Sequence, residues 1–293
     1  MNKDILKTVL INPNAPRVLK HGHLFVLATF PIDTQSPFIV RTYDFDNKFY
    51  KGKFLFKDPT TDFPIMGTPE EYGRKRIVAN LNNLGLKNKT IIDIGAGTLN
   101  IYRQIPAENS RLIAHFINCD ISGPWNNKNR SSMEIGAERT KIVPSPGNVI
   151  NVQYDFNSLM WPFQPNIFNY AVSCMAMHHI KFENKANVLK SIFKSLRRGG
   201  EFIITDFFLS EEGGAKITNA GQRGPEECKG YGQKFSDFLN LCQKAGFILD
   251  KPCRCLMSSQ SLLTSYQLKT ALNDTSKTLQ INKATWYTVL SKK

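Results

Sequence analysis

The sequence lacks a long apolar run, paired metal-binding cysteines and a balanced complement of acidic residues. Nothing in it approaches the ~18 consecutive apolar residues of a membrane span, and no positively charged start leads into a signal-like apolar segment. These absences predict a soluble, intracellular, cytoplasmic protein without a membrane partner. The six cysteines, at 119, 174, 228, 242, 253 and 255, form no C-x-x-C and no cysteine-histidine cluster at zinc spacing. They are expected to be reduced and mostly packed, with no metal. His21-x-His23 is a metal pair only if further ligands are supplied from elsewhere. Only 24 Asp plus Glu face 38 Lys plus Arg, a net charge of +14. Such an excess favours a polyanionic partner, nucleic acid first, although a lysine-rich surface is often simply solvated.

At 293 residues and 41% hydrophobic content the chain can bury a substantial core. Residues 1–23 read as irregular, with Pro13 and Pro16 as breakers. Three aromatic and β-branched runs follow between Leu24 and Phe56, predicting a small β-meander and an N-terminal extension over 1–62. A helix led by Thr68 as N-cap feeds the strand at Thr90. From there apolar strands alternate with amphipathic helices, so residues 63–293 are predicted to form one α/β domain with a parallel sheet covered on both faces. The helix from about Asn184 to Arg197 carries Leu189, Ile192, Phe193 and Leu196 on one stripe, with Gly199-Gly200 as its stop. Residues 209–233 are glycine-rich and polar and read as a long flap, and a last strand pair closes the sheet edge.

The stretch around which the domain is organised is Thr90–Asn100, TIIDIGAGTLN. Ile91, Ile92 and Ile94 suit a strand buried on both faces, and Gly95-Ala96-Gly97 turns the chain towards a helix. The third glycine of a dinucleotide fingerprint is missing, because Asn100 stands there. The aspartate two residues before the first glycine, Asp93, instead gives D-x-G-x-G, which resembles motif I of class I S-adenosylmethionine-dependent methyltransferases. A ligand-free strand-to-helix turn is the bland alternative. Asp120 and Asp155 end the next two strands in FINCDIS and NVQYDFN. Asp120 is placed for two ribose hydroxyls, and Asp155-Phe156 for an adenine amino group and ring face. Taken singly, each aspartate is also a turn former.

After the fourth strand the chain reads Ser173-Cys174-Met175-Ala176-Met177-His178-His179, and here absence is again informative. There is no Asn/Asp-Pro-Pro-Tyr/Phe run of exocyclic-amine methylation, no Pro-Cys of cytosine C5 methylation, and no Lys-Asp-Lys-Glu set to activate a ribose hydroxyl. Ser173, Cys174, His178, Phe182, Glu183, Gly199, Gly200 and Phe202 are similar to the signature of mRNA cap guanine-N7 methyltransferases, with Met175, His179 and Arg198 as departures from its pattern. The resemblance spans about residues 70–293 and is nearest to the C-terminal domain of capping enzymes of large cytoplasmic DNA viruses.

That resemblance implies a Rossmann-like class I methyltransferase fold with a seven-stranded, mostly parallel sheet, and S-adenosyl-L-methionine as cofactor. It implies a cofactor site of Asp93, Gly95, Ala96, Gly97, Asp120, Asp155, Phe156, Ser173, Met175 and Arg76. His178, His179, Phe182 and Tyr287 would hold the guanine, with Glu226, Glu227 or Asp237 on its edge. Capped RNA (GpppN) would be the partner, with triphosphatase and guanylyltransferase domains of the same polypeptide as possible companions. A viral member would act in the host cytoplasm and could travel in the virion. Guanine N7 already has a lone pair, so no general base is implied, only alignment and exclusion of water. Two other readings stand beside it. One is a small-molecule methyltransferase, since a histidine pair after the fourth strand also occurs in lipid and quinone methyltransferases. The other is a catalytically silent RNA-binding or stimulatory subunit. His178 and His179 could equally be packed or capping residues, and Tyr287 could simply pack the sheet edge.

Overall fold

The computed structural model describes residues 3–28, 54–57, 64–67, 69–125, 131–140, 148–158, 160–209, 233–249, 254–258 and 283–293. Thr68, Glu226 and Glu227, nearly all of the expected flap and most of the expected meander lie outside the described residues. Among those described, no helix is long and apolar enough to cross a membrane.

The Thr90–Ile94 run forms a strand buried at every position, and its neighbours assemble around it by the same logic. In chain order the elements are α1 (Lys3–Val9), β1 (Arg17–Lys20), β2 (His23–Leu27), β3 (Phe54–Lys57), β4 (Pro64–Gly67), α2 (Pro69–Leu84) and β5 (Thr90–Ile94). There follow α3 (Asn100–Gln104), α4 (Ala107–Ser110), β6 (His115–Asp120), α5 (Ser132–Arg139), β7 (Val149–Gln153) and β8 (Phe168–Cys174). The chain closes with α6 (Phe182–Ser195), β9 (Leu196–Leu209), α7 (Phe235–Ala245), β10 (Arg254–Ser258) and β11 (Lys283–Ser291).

Nine of these strands make one sheet in the order β1-β2-β7-β6-β5-β8-β9-β11-β10, and β3 with β4 makes a separate hairpin. The strands from β2 to β9 pair in parallel, while β1, β11 and β10 run antiparallel to their neighbours. Strand alternation divides the core. Ile92, Ile94, Ile117, Ile150 and Ile204 face α1, α6 and α7 in one cluster, and Ile91, Phe116, Val172 and Ile203 face α2 and α3 in the other. The alternation of strands and helices read from sequence is thus realised as an α/β sheet covered on both sides.

Two features differ from the sequence reading. The sheet has nine strands rather than seven, because β2 adds in parallel to β7 and β1 then adds to β2. Residues expected to be irregular therefore enter the core: α1 buries Leu6, and Leu10 bridges to Phe163. The helix α6 also stops at Ser195, and Leu196 is already strand. A register shift between Phe168 and Tyr170 and the left-handed Gly199, φ 74°, let β9 run through both glycines.

Candidate functional site

The parallel register brings three strand ends together at the carboxyl edge of the sheet. Asp93 lies opposite Asn118 of β6, which lies opposite Asn151 of β7, so three polar residues form a row across the sheet. Asn118 donates to the Asn151 side-chain oxygen at 3.0 Å. Asp93 is 1% exposed, and neither carboxylate oxygen has a hydrogen-bond partner among the described residues. Burial, and after it the charge of Asp120, holds its carboxyl well above the usual range, and Arg74 acts in the opposite sense.

The Gly95–Gly97 turn is fixed by its own amides. Gly95 and Ala96 donate to the Cys119 carbonyl at 2.8 and 3.1 Å. Gly97 donates to Asp120 Oδ2 at 2.8 Å and Ser122 donates to Oδ1 at 2.8 Å. Burial raises the Asp120 carboxyl, and the amides of Ser122 and Gly97 oppose that shift. Both glycines have positive φ, 74° and 50°, but their surroundings differ. A Cβ on Gly95 would fall 2.1 Å from the Ala176 Cβ, whereas one on Gly97 would meet nothing within 4 Å. Gly95 is small because β8's continuation packs on it; the space over Gly97 is open for a ligand.

Other expected cofactor residues have engagements of their own. Ser173 is fully buried and donates to the Ile94 carbonyl at 3.0 Å, tying β8 to β5. Met175 is left-handed at φ 55°, an uncommon state for a non-glycine residue, and its amide donates to the Thr205 carbonyl at 2.8 Å. Asp155 Oδ1 accepts from the Asn157 amide at 2.8 Å, closing its own turn. Phe156 is 8% exposed and meets Tyr154 edge-on with ring centroids 5.2 Å apart, so it belongs to an aromatic cluster with Trp161. Arg76 is half-buried on α2, and it is Arg74 whose charge acts on Asp93.

Among the expected acceptor residues, His178 is buried at 5% exposure. Its ring Nδ1 pairs with Asp206 Oδ1, and its backbone amide donates to Asp206 Oδ2 at 3.0 Å. His179 is half-buried, its ring centroid 3.9 Å from that of His178. Phe182, by contrast, is 54% exposed at the start of α6. Tyr287 lies on β11 with its backbone opposite Thr205 and Arg254, and its side chain is outside what is described. Asp237 lies in the first turn of α7.

Sequence reasoning missed Asp206, Lys185 and Gln233. Lys185 is 2% exposed and donates to Gln233 Oε1 at 3.0 Å; burial lowers its ammonium and Asp206 opposes that shift. A signal for Lys185 was present, since it stands on the stripe of Val188, Leu189 and Ile192 where an apolar residue is expected. Asp206 carried no such signal, for an acid late in an apolar strand reads as a strand end until its partner is known.

The set of residues fits S-adenosylmethionine. A buried carboxylate with no hydrogen-bond partner among the described residues suits the ligand's ammonium, Gly97, with no described atom within 4 Å of a Cβ, leaves it room, and Asp120 retains lone pairs for vicinal hydroxyls.

Comparison with known proteins bears on the family and the fold. A family model described as a methyltransferase domain matches residues 70–251. The ubiquinone/menaquinone biosynthesis C-methyltransferase UbiE of Photorhabdus laumondii is 26% identical over 173 residues, 57% of this chain and 63% of that relative. The chain thus spans less than two thirds of the relative's length. Phosphoethanolamine N-methyltransferase 2 of Haemonchus contortus, solved with phosphomonomethylethanolamine and S-adenosylhomocysteine, superposes with a TM-score of 0.54 at 16% identity, over 75% of this chain and 52% of that one. The [4+2]-cyclase SpnF superposes with a TM-score of 0.53 at 15% identity, over 76% of this chain and 80% of that one. At such identities these two structures establish the shared fold alone.

Proposed function

The chain belongs to the methyltransferase-domain family matched over residues 70–251, and from that premise we propose that it transfers the methyl group of S-adenosylmethionine to a small organic acceptor. The observation that carries the cofactor assignment is Asp93, buried and without a hydrogen-bond partner among the described residues, close in sequence to the open Gly97. S-adenosylmethionine supplies a methyl group made electrophilic by its sulfonium. Asp93 receives the ligand's ammonium, and the Arg74 charge favours the ionised carboxylate. Gly97 lets the ligand lie against the main chain, and Asp120 takes the ribose hydroxyls through lone pairs not used by Gly97 and Ser122. Asp155 and Phe156 border the adenine, with Asp155 placed by its turn and Phe156 from within its aromatic cluster.

The small acceptor is supported by the likeness to a quinone-pathway C-methyltransferase. It is supported also by the state of His178, which is buried against Asp206 rather than presented as an open wall for a stacked base. The second reading keeps guanine N7 of capped RNA as acceptor. The net charge of +14 and the Ser173-Cys174…His178…Phe182-Glu183…Gly199-Gly200 pattern favour it, and His179, Phe182 and Tyr287 would then line the guanine.

The test offers labelled S-adenosylmethionine with three acceptors in parallel: a demethylated quinol, phosphoethanolamine, and GpppA- or GpppG-capped RNA. Label in a small acceptor is the expected result. Label recovered as 7-methylguanosine would replace it by the second reading. Intact cofactor binding by calorimetry with no transfer to any acceptor would mark a silent subunit.

A further inference from the structure

The amino edge of the sheet, opposite the cofactor loop, carries charge of nearly one sign. The acids Asp93, Asp120, Asp155 and Asp206 all lie towards the carboxyl edge. At the other edge the chain enters β5 past Lys87 and Lys89, approaches β6 past Arg111, and passes from α6 into β9 through Lys194, Arg197 and Arg198. All but the half-buried Lys89 are exposed, and none forms an ion pair among the described residues. The acids described on this edge are Glu108 and Glu201, the latter half-buried opposite Tyr170. Composition explains an excess of lysine, but not a row of cations across neighbouring strands with so few acids between them.

The row is built on a fixed base. The Gly199 amide donates to the Lys292 carbonyl at 2.6 Å, and the Lys292 amide donates to the Gly200 carbonyl at 2.9 Å. Lys292 Nζ donates to the Leu196 carbonyl at 2.7 Å and to Asn166 Oδ1 at 3.0 Å. Lys292 is thus spent on clamping the turn, and Arg197 and Arg198 are presented by it. Because β6, β5, β8 and β9 are adjacent, the row from Arg111 to Arg198 spans three strand spacings, about 14 Å. Two features select its partner. No aromatic side chain described on this edge is exposed, so there is no stacking platform for unpaired bases. The exposed apolar residues Leu112 and Ile248 stand at opposite ends, before β6 and beside Ser291 of β11, so no apolar wedge is offered to a bilayer.

We propose that this amino edge binds the phosphate backbone of a nucleic-acid duplex, RNA or DNA alike, without reading its bases, through Lys87, Lys89, Arg111, Lys194, Arg197 and Arg198. A duplex carries one charge per about 1.7 Å of axis, so about 14 Å of it holds about eight charges, of which about four turn to one side. The cations of the row match that density. The five residues of β5 separate this edge from the cofactor turn by about 17 Å. The duplex is therefore held beside the methyl-transfer site without entering it, whichever acceptor takes the methyl group.

The test titrates the full chain into fluorescein-labelled RNA and DNA duplexes of about 20 base pairs and mixed sequence, reading anisotropy between about 50 and 200 mM salt. Neutralising about four phosphates gives a slope of log K against log salt near about −3.6, an affinity loss of about 10²-fold over that range. The double variant Arg197→Gln/Arg198→Gln should weaken binding about 10- to 100-fold near 0.1 M salt and make the slope shallower by about 2. Its melting temperature and calorimetric affinity for S-adenosylmethionine should match the parent, since both side chains are exposed. Lys7→Gln, which removes an exposed cation of α1, should change duplex affinity less than about twofold. Equal losses in Lys7→Gln and in the arginine pair would reduce the binding to net charge and refute the edge. Competition between duplex and S-adenosylmethionine, or tighter binding of a single strand of the same length, would overturn the proposal too. So would no duplex binding at about 50 mM salt, and capture by phosphatidylserine vesicles in its place would assign the edge to a membrane.

Discussion

The two glycines of the cofactor turn, alike in sequence, differ in what a methyl group would do to them. Gly95→Ala places a Cβ 2.1 Å from Ala176 at φ 74°, so both backbone and packing must shift, and a loss of about 2–4 kcal/mol is expected. Gly97→Ala meets only open space at φ 50°, and backbone strain of about 1–2 kcal/mol is its whole cost to the free protein. Thermal melts should therefore rank Gly95→Ala well below Gly97→Ala. Calorimetry should show cofactor binding lost in both, because the Gly97 methyl occupies the ligand's space. A Gly97→Ala protein that binds normally would contradict the site. Asp93 presents the opposite balance. Its carboxyl is raised in the folded state, so the folded protein holds the proton more tightly than the unfolded chain. The stability linked to that proton is full below the unfolded pKa and declines as pH rises through the raised folded value. Asp93→Asn removes this penalty. The free protein should melt about 2–4 °C higher near neutral pH, while cofactor affinity falls about 10- to 100-fold with loss of a charge-assisted bond.

At the scale of elements, the β1–β2 hairpin supports the cofactor loop from the far side. Phe25 is fully buried with Ala96, Leu99 and Met133, and Lys20 meets Glu134 of α5 at 2.8 Å. That helix is fixed by a capping box between Ser131 and Glu134, and its Gly136 lies against the Thr98 carbonyl. Phe25→Ala should cost about 3–5 kcal/mol in denaturant unfolding and weaken cofactor binding in the refolded protein. Lys20→Ala should cost under about 1 kcal/mol, since its side chain is 41% exposed. The hairpin also carries a pH signature. Burial, with His21 adding to it, lowers His23 to about 4. The unfolded chain thus binds this proton near its ordinary value while the folded chain refuses it, so stability present above about pH 6.5 drains away as pH falls towards 4. Urea midpoints at pH 7.5 and 5 should converge in His23→Asn and diverge in the parent. The strand HLFVL was legible as an apolar run in sequence, yet its place was not. Its pairing with Val149–Gln153 crosses more than a hundred residues, and no local pattern encodes such a register. The same limit hid Asp206, whereas Asp93, Gly95, Gly97 and Asp120 stood out because a strand, a turn and their spacing are local.

For the whole molecule the consequence concerns where the fold begins. Composition places a boundary near residue 62, because the segment before it changes from apolar strands to turn-rich sequence. The sheet order instead seats β2 on the parallel edge beside β7, and α1 covers the same cluster with Ile5, Leu6 and Val9. Removal of residues 1–62 would bare the edge of β7, an unpaired ladder open to other chains. It would also uncover the apolar surface now beneath α1 and take Phe25 from under the cofactor loop. Each buried large side chain so lost is worth about 1.5–3 kcal/mol, and two or three of them rival the whole stability of a typical domain. The chain 63–293 should therefore elute as aggregate and unfold without a cooperative transition, whereas the chain from residue 3 should melt in one step and be stabilised by S-adenosylmethionine. A sharp melt of 63–293 with undiminished cofactor binding would show that the hairpin and α1 are an accessory layer and that the compositional boundary is the structural one.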